Sequence, residues 1–491
     1  YGQNSKGTSS YRINAPIDLA SDSTFKTQNG TDTDKEIDHT IITALGLAGS
    51  KTGSDLQGMS GAPAGNYVLG ADIDASTTSG WNAGKGFAPV GDVDNSFTGT
   101  FDGLGHVIKN LTINDPEHND GFGLDTGLFG SAADATFRNI GLTNVNISGS
   151  GDGNGGLLGY GEGITIENAY VTGKVTNTVT ETEESKTYEG STGGLVGNLS
   201  RSTITNAYAT AAVTGVKYVG GLVGNADLTD IDRSYATGSV SGTDRIGGLV
   251  GFFTGESTFD ITSSYATGAV TGTKNVGGLV GYSAGPQGKS SGFYAKIQTS
   301  YATGEVSGSE SHVGGLVGHA SYTHITNTYA TGKVTGKTKV GGLVGSSTAK
   351  VGQGFDRAKI QTSYATGMVS GSDDVGGLVG HAEKTAVTLS FWDKETTGLS
   401  QGIGASVKAI DDTSGATSAE LRTQQTYTDA GWKDFNKTWF MVDGQTRPFL
   451  RFEHSQTITN PRQLQLMAMK PDLDYTLGAD IDMQAALQAS H

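Results

Sequence analysis

Gly220-Gly221-Leu222-Val223-Gly224, followed six residues on by Ile231-Asp232-Arg233-Ser234-Tyr235-Ala236-Thr237-Gly238-Ser239-Val240-Ser241-Gly242, settles the architecture of this chain. The first phrase returns, with small changes, at Gly155, Gly193, Gly247, Gly277, Gly314, Gly341 and Gly376, and each time the second phrase or a variant follows. Four of the seven spacings are 27 to 30 residues. A unit that short, built of β-prone runs between glycines, cannot bury its own apolar side chains and must stack on copies of itself. The expected fold is all-β, a parallel β-solenoid with coils of about 27 residues. Glycines belong at its corners, where the chain turns sharply or runs close to another backbone. They are not a phosphate-cradling loop, because strands and not a helix follow them.

Equivalent residues of coils stacked about 4.8 Å apart form ladders along the axis. Tyr170, Tyr208, Tyr235, Tyr265, Tyr301, Tyr329 and Tyr364 hold one such place, and Phe391 takes it in the last repeat. The Leu and Val of each glycine phrase, the Ile before each Tyr, and Val213, Val240, Val270, Val306, Val334 and Val369 after it are expected to point inward. The pattern leaves the facing of the Tyr ladder open, since a bend within Ile-x-x-x-Tyr would change the side-chain parity.

The spacing from glycine phrase to Tyr is 15 residues in five coils, 18 in the Gly247 coil, 24 in the Gly277 coil and 23 in the Gly341 coil. All three insertions therefore fall at one corner. The two long ones, Ser283–Tyr294 and Ser346–Arg357, come from coils two apart and form an expected ridge about 10 Å across. Loops on a rigid scaffold are where binding side chains collect. Phe293, Tyr294, Phe355 and Arg357 are the candidate ligand-binding residues, with the alternative that these aromatics fold back over the coil edge. A further, acidic insertion spans Thr178–Thr192.

Residues 1–54 read as an irregular cap or an extra coil, with a short helix over Glu36–Leu47, and 55–150 as leading degenerate coils. The repeat solenoid occupies 151–395, and the period stops after Trp392. Residues 396–455 read as a cap or module junction, with a short helix in Ala419–Phe435 and aromatics covering the open core. Leu464-Gln465-x-Met467 and Tyr475-x-Leu477-Gly478-Ala479-Asp480-Ile481-Asp482 repeat Leu56-Gln57-x-Met59 and Tyr67-x-Leu69-Gly70-Ala71-Asp72-Ile73-Asp74 at a constant offset of 408 residues. Residues 456–491 thus read as the start of a second copy of one long module.

The glycine phrases with Asn-Ala/Ser-Tyr-Ala-Thr-Gly resemble the GLUG repeat of large secreted bacterial proteins, including adhesins of the filamentous-haemagglutinin type. Phe97–Gly103, Val107–Ile113 and Ser390-Phe391-Trp392-Asp393 resemble what commonly flanks such repeats. The resemblance implies a right-handed β-solenoid, secretion, a cell-surface location in association with the outer membrane, and an adhesive or matrix role. It carries no catalytic residues. The implied partners are a host or bacterial surface glycan or protein, or a matrix polysaccharide.

Composition narrows the alternatives. A net charge of −16 argues against a nucleic-acid partner. With no cysteine there is neither a disulfide nor a thiolate metal site. No apolar run reaches the 18 residues of a membrane span, and the start at Tyr1 carries no export signal. Parallel β-helices also host polysaccharide-cleaving enzymes, for which Asp373-Asp374 and Asp411-Asp412 are the available acid pairs. Solvated turns account for these pairs equally well, and a non-enzymatic chain is expected. His319 and His381 lie two coils apart, too far to share a zinc ion. Asp72, Asp74, Asp92, Asp94, Asp102 and Asp152 are candidates for calcium, with Asx-turns as the metal-free explanation. No cofactor is required. The Thr and Asn ladders are too irregular for an ice-binding face, and end-to-end assembly into a filament remains a rival to the tandem-module reading.

Overall fold

The computed structural model describes residue 13 and residues 15–28, 36–115, 125–178, 190–256, 258–285, 294–349, 358–433, 435–481 and 483. The chain winds as a parallel β-solenoid whose strands pair in register from coil to coil. In the Gly220 coil, Lys217–Gly220 lies in an eight-stranded sheet and Val223–Asp227 in a ten-stranded sheet. Asp230–Asp232, Tyr235–Ala236 and Val240–Ser241 belong to the long sheet that closes the coil. Val223 pairs with Val196 and Val250, and Tyr235 with Tyr208 and Tyr265, so each ladder is made of like residues.

The interior is divided in two. Leu and Val of the glycine phrases join the Ile before each Tyr in a main core that starts at Ile42 and ends at Ile403. Val213, Val240, Val270, Val306, Val334 and Val369 are also buried, but in a separate side core with Val219, Ile246, Val276, Val313 and Val340. The Thr-Gly bend between Tyr and Val causes the division. A Cβ on Gly268 would lie 1.9 Å from Gly238 O, so from Gly238 onward glycine is what lets successive bends nest and turn the following Val away from the main core, while Ala211 holds this place in the bend before Val213.

Each Tyr faces outward. Two residues before it the backbone is left-handed, from Arg233 (φ 46°) to Asn206 (φ 54°), and this kink reverses the parity after the buried Ile. The next residue turns inward and satisfies the kinked backbone: Ser234 Oγ accepts from Ala207 N at 3.1 Å, and Ser264 Oγ from Ser234 N at 3.2 Å.

Three expectations are corrected. Glu36–Ile42 is a strand and not a helix, antiparallel to Phe25–Gln28 and parallel to Tyr67–Leu69, because its β-branched isoleucines add a rung to the stack. The period does not stop at Trp392, since Ile403–Val407 stacks on Val379–Glu383 and Ile410–Ala416 on Thr385–Asp393. Nor do the late aromatics plug the open end. Trp392 itself packs into the end of the main core, while Tyr427, Trp432, Trp439 and Leu450 lie against the side of the solenoid over the Tyr ladder. The short helix expected in 419–435 is present as Gln424–Asp429, after a 3-10 turn at Glu420–Arg422.

Candidate functional site: two ladders on the solenoid wall

The Tyr ladder is a column of rings stacked face to face, with centroids 4.7–5.1 Å apart from Tyr170 to Tyr364 and interplanar angles of 1–7°. Tyr170, Tyr208, Tyr235 and Tyr265 are half-buried, whereas Tyr301, Tyr329, Tyr364 and Phe391 disappear under residues 416–466. This cover is held by specific bonds. Trp432 Nε1 donates to Leu389 O at 2.7 Å and Tyr364 OH to Pro448 O at 2.6 Å. Glu453 Oε1 accepts from Tyr329 OH at 2.9 Å and Leu450 N at 2.8 Å, and Arg462 donates to Tyr329 OH at 2.6 Å and Thr331 Oγ1 at 3.2 Å. The Arg462 guanidinium lies 5.3 Å from the centre of the Tyr329 ring and 4.0 Å from Glu453 Oε2. Burial pushes the Glu453 carboxyl above its usual range despite this cation. Where the cover ends, a cleft of about 220 Å³ opens between Tyr235, Tyr265, Tyr301, Phe452 and Glu453.

The second ladder is double, and the sequence reading missed it. In six of the eight coils two side chains flank the glycine phrase seven residues apart: Tyr218 and Asn225, Arg245 and Phe252, Asn275 and Tyr282, His312 and His319, Lys339 and Ser346, Asp374 and His381. The first of each pair is left-handed, with φ between 49° and 60°. Its backbone rests on the last glycine of the next phrase: a Cβ on Gly281 would lie 2.5 Å from Arg245 C. This approach brings the two columns into contact. Tyr218 stacks on Phe252 and Phe252 on Tyr282, both at 5.3 Å, and His312 stacks on His319 at 4.9 Å. Burial and neighbouring cations push the His312 and His319 imidazoles down, to about 4 and about 3, so both are neutral at pH 7. His381 pairs with Asp374 at 3.0 Å. The sequence signal was available: between coils the phrase stays constant while its two flanks vary.

Of the candidate ridge residues, Phe293, Phe355 and Arg357 lie outside the described residues. Tyr294 does not present its ring to a ligand. It is 9% exposed and stacked on His324 at 3.8 Å, because the insertion returns to the coil edge at Ala295.

The candidate calcium ligands have other partners. Asp72 binds Lys109 at 2.9 Å, Asp74 accepts from Asn110 at 3.0 Å, and Asp92 closes a turn by accepting from Asp94 N and Asn95 N. Asp102 is buried against Arg138 at 2.8 Å. Among the described residues no three His, Asp or Glu side chains are placed to hold one ion. Asp152 adds its charge to the effect of burial on Asp125, whose carboxyl is pushed up to about 7. The stability this group contributes is complete below its ordinary value of 3.8 and is lost as the pH rises through about 7. Asp125→Asn is therefore expected to melt several degrees above the parent at pH 8 and level with it near pH 4. An equal gap at both pH values in thermal melts would refute the burial of the charge.

Asp373-Asp374 and Asp411-Asp412 do not form a shared acid site. Asp374 is engaged by His381, and Asp411 accepts from Thr413 N and Oγ1 as a turn residue.

The sequence profile of the GLUG motif matches residues 188–214, 215–241 and 309–335. Halomucin from Haloquadratum walsbyi (strain DSM 16790 / HBSQ001) is 44% identical over 116 residues, which is 22% of this chain and 1% of halomucin. The chain thus spans a very small part of that relative. Among solved structures, a putative immunoglobulin A1 protease from Bacteroides ovatus aligns with a TM-score of 0.37 and 19% identity, over 87% of this chain and 95% of that one. An IgA1 protease aligns with a TM-score of 0.32 and 14% identity, over 72% of this chain and 22% of that one. No helix among the described residues is long and apolar enough to cross a membrane. The three matched GLUG motifs thus lie within the stacked coils of a parallel β-solenoid.

Proposed function

We propose that the chain is a non-enzymatic module of a secreted, cell-surface or matrix adhesin, in which a rigid solenoid carries binding surfaces away from the cell. The observation that carries this reading is the unbroken register of the Tyr ladder from Tyr170 to Phe391, held from the side by residues 416–466. Such a stack resists bending, because each coil is bonded to its neighbours along several strands. The arm that reaches Tyr329 through Arg462 also carries the repeated Leu464-Gln465-x-Met467, which supports tandem modules joined at a fixed angle.

Beads coated with the chain are expected to be retained under flow on cells or on surfaces coated with matrix polysaccharide. The same chain, incubated with acidic and neutral polysaccharides, should release no new reducing ends or unsaturated products. Turnover abolished by Asp373→Asn with Asp374→Asn would sink the non-enzymatic reading in favour of a polysaccharide-cleaving one.

One observation favours a second reading, end-to-end assembly. Leu477 is 65% exposed and Leu464 39%, whereas their counterparts Leu69 and Leu56 are fully buried in the first coils. Concentration-dependent light scattering that disappears when residues 456–491 are removed would support it.

A further inference from the structure

The double ladder carries two cations that form no ion pair among the described residues. The Arg245 guanidinium sits 4.7 Å from the centre of the Tyr218 ring, 5.3 Å from Phe252 and 5.5 Å from Tyr282, yet it makes no hydrogen bond or ion pair with any described residue. Its planar fork is held by π-contact and left with unspent donors, the arrangement that suits a carboxylate. Lys339, three coils further along the same column, also has no ion-pair partner among the described residues. Buried polar atoms without partners gather here as well: Arg245 Nε, Asn275 Oδ1, Ser346 Oγ and Asn225 Oδ1. These atoms are closed off from solvent, so they are not themselves ligand contacts.

We propose that this double ladder binds an extended acidic polysaccharide lying along the solenoid axis, with Arg245 and Lys339 meeting carboxylates. The sugar repeat of an extended pyranose chain is close to the coil spacing, so successive sugars meet successive rungs. His312 and His319, lying between the two cations, are neutral and offer donors and ring edges without adding charge. The aromatic faces are covered by their neighbours in the column, so the rings contribute edges and not stacking platforms. A net charge of −16 opposes the distant approach of any polyanion. Contact must therefore be short-ranged, and it is best measured near physiological salt, where the Debye length is about 8 Å. The choice of ligand class rests on the adhesive reading above, while the site itself rests on the Arg245 and Lys339 cations.

The test is titration of the whole chain with soluble polygalacturonate, dextran and duplex DNA at equal ionic strength. Polygalacturonate is expected to bind and dextran and DNA not to. Arg245→Ala with Lys339→Ala should weaken polygalacturonate by about tenfold or more with an unchanged melting temperature. If Arg245→Ala disturbs the aromatic column, Lys339→Glu alone should still weaken binding several-fold, since no described group holds that side chain. Equal binding by the variants, binding of dextran or DNA as tight as that of polygalacturonate, or no binding of polygalacturonate overturns the proposal. Attachment under flow that persists without polygalacturonate binding removes this site and leaves the adhesive reading standing. Polygalacturonate binding without attachment does the reverse.

Discussion

Replacing Gly248 by alanine is expected to cost about 3 kcal/mol or more, while Gly80→Ala changes stability by less than about 0.5 kcal/mol. A Cβ on Gly248 would lie 2.0 Å from Gly278 O and 2.8 Å from Ala266 Cβ. The obstruction is the backbone of the next coil, which no side-chain rotation can clear. The coil cannot slide away either, because Leu249 N donates to Leu279 O at 2.8 Å immediately beside the contact. The coil below makes the same demand, since a Cβ on Gly221 would lie 2.1 Å from Gly248 O. Gly80 ends a 3-10 turn with nothing within 4 Å of the added carbon, so it reports only the general effect of removing a glycine. Stability in a solenoid is a sum over neighbouring coils, so the urea transition of Gly248→Ala should split into two steps on either side of the Gly247 coil. Equal losses in the two variants would mean that the phrase glycines serve chain flexibility and not close approach.

That contact also explains what the sequence made legible. Gly-Gly-Leu-Val-Gly recurs because its glycines let coils meet and its Leu and Val fill the main core, so composition and period alone led to the parallel stack. The side core was hidden. Val240 and Val270 have the apolar character of any core residue, and the nesting of Gly238 and Gly268 sends them to a different compartment. The facing of the Tyr ladder was hidden for a related reason. The left-handed kink two residues earlier falls on Asn206, Arg233, Ser263 and Thr299, and so varied a set gives no sequence signature. With that facing open, the late aromatics could be assigned to the end of the core, when an outward Tyr column instead makes the side wall the apolar surface to be covered.

The binding surfaces show the opposite balance. Insertions drew attention to Tyr294 because length differences stand out, yet the ring turns back onto His324. The double ladder involves no change of length. It consists of single variable positions on either side of the constant phrase, and their adjacency depends on the close approach made at Gly251, Gly281 and Gly318. A seven-residue separation along the chain becomes a ring contact of 4.9 Å between His312 and His319 only after the phrase has folded inward.

Arg462→Ala is expected to free the cover from the ladder while leaving the coils folded. Glu453 is 7% exposed, and without Arg462 it keeps its bonds to Tyr329 and Leu450 but loses its only nearby cation among the described residues. Removing one partner of a buried ion pair costs about 3–5 kcal/mol, which exceeds what a cover of short elements can absorb. Trp432 and Trp439, 3% and 0% exposed, should then meet water and shift their emission to the red, with the β-sheet circular dichroism retained. The sign of the pH dependence separates this cause from a loss of packing. Burial already raises the Glu453 carboxyl, and in the variant it rises further. A raised carboxyl contributes its stability below its unfolded value and loses it as the pH climbs through the folded one, so the cover of Arg462→Ala should stay closed at pH 4 and open at pH 8. Glu453→Gln added to Arg462→Ala should close it at both pH values. Tryptophan emission that stays blue at pH 8 in Arg462→Ala would show that the aromatic packing of Tyr427, Trp432 and Trp439 holds the cover without the ion pair.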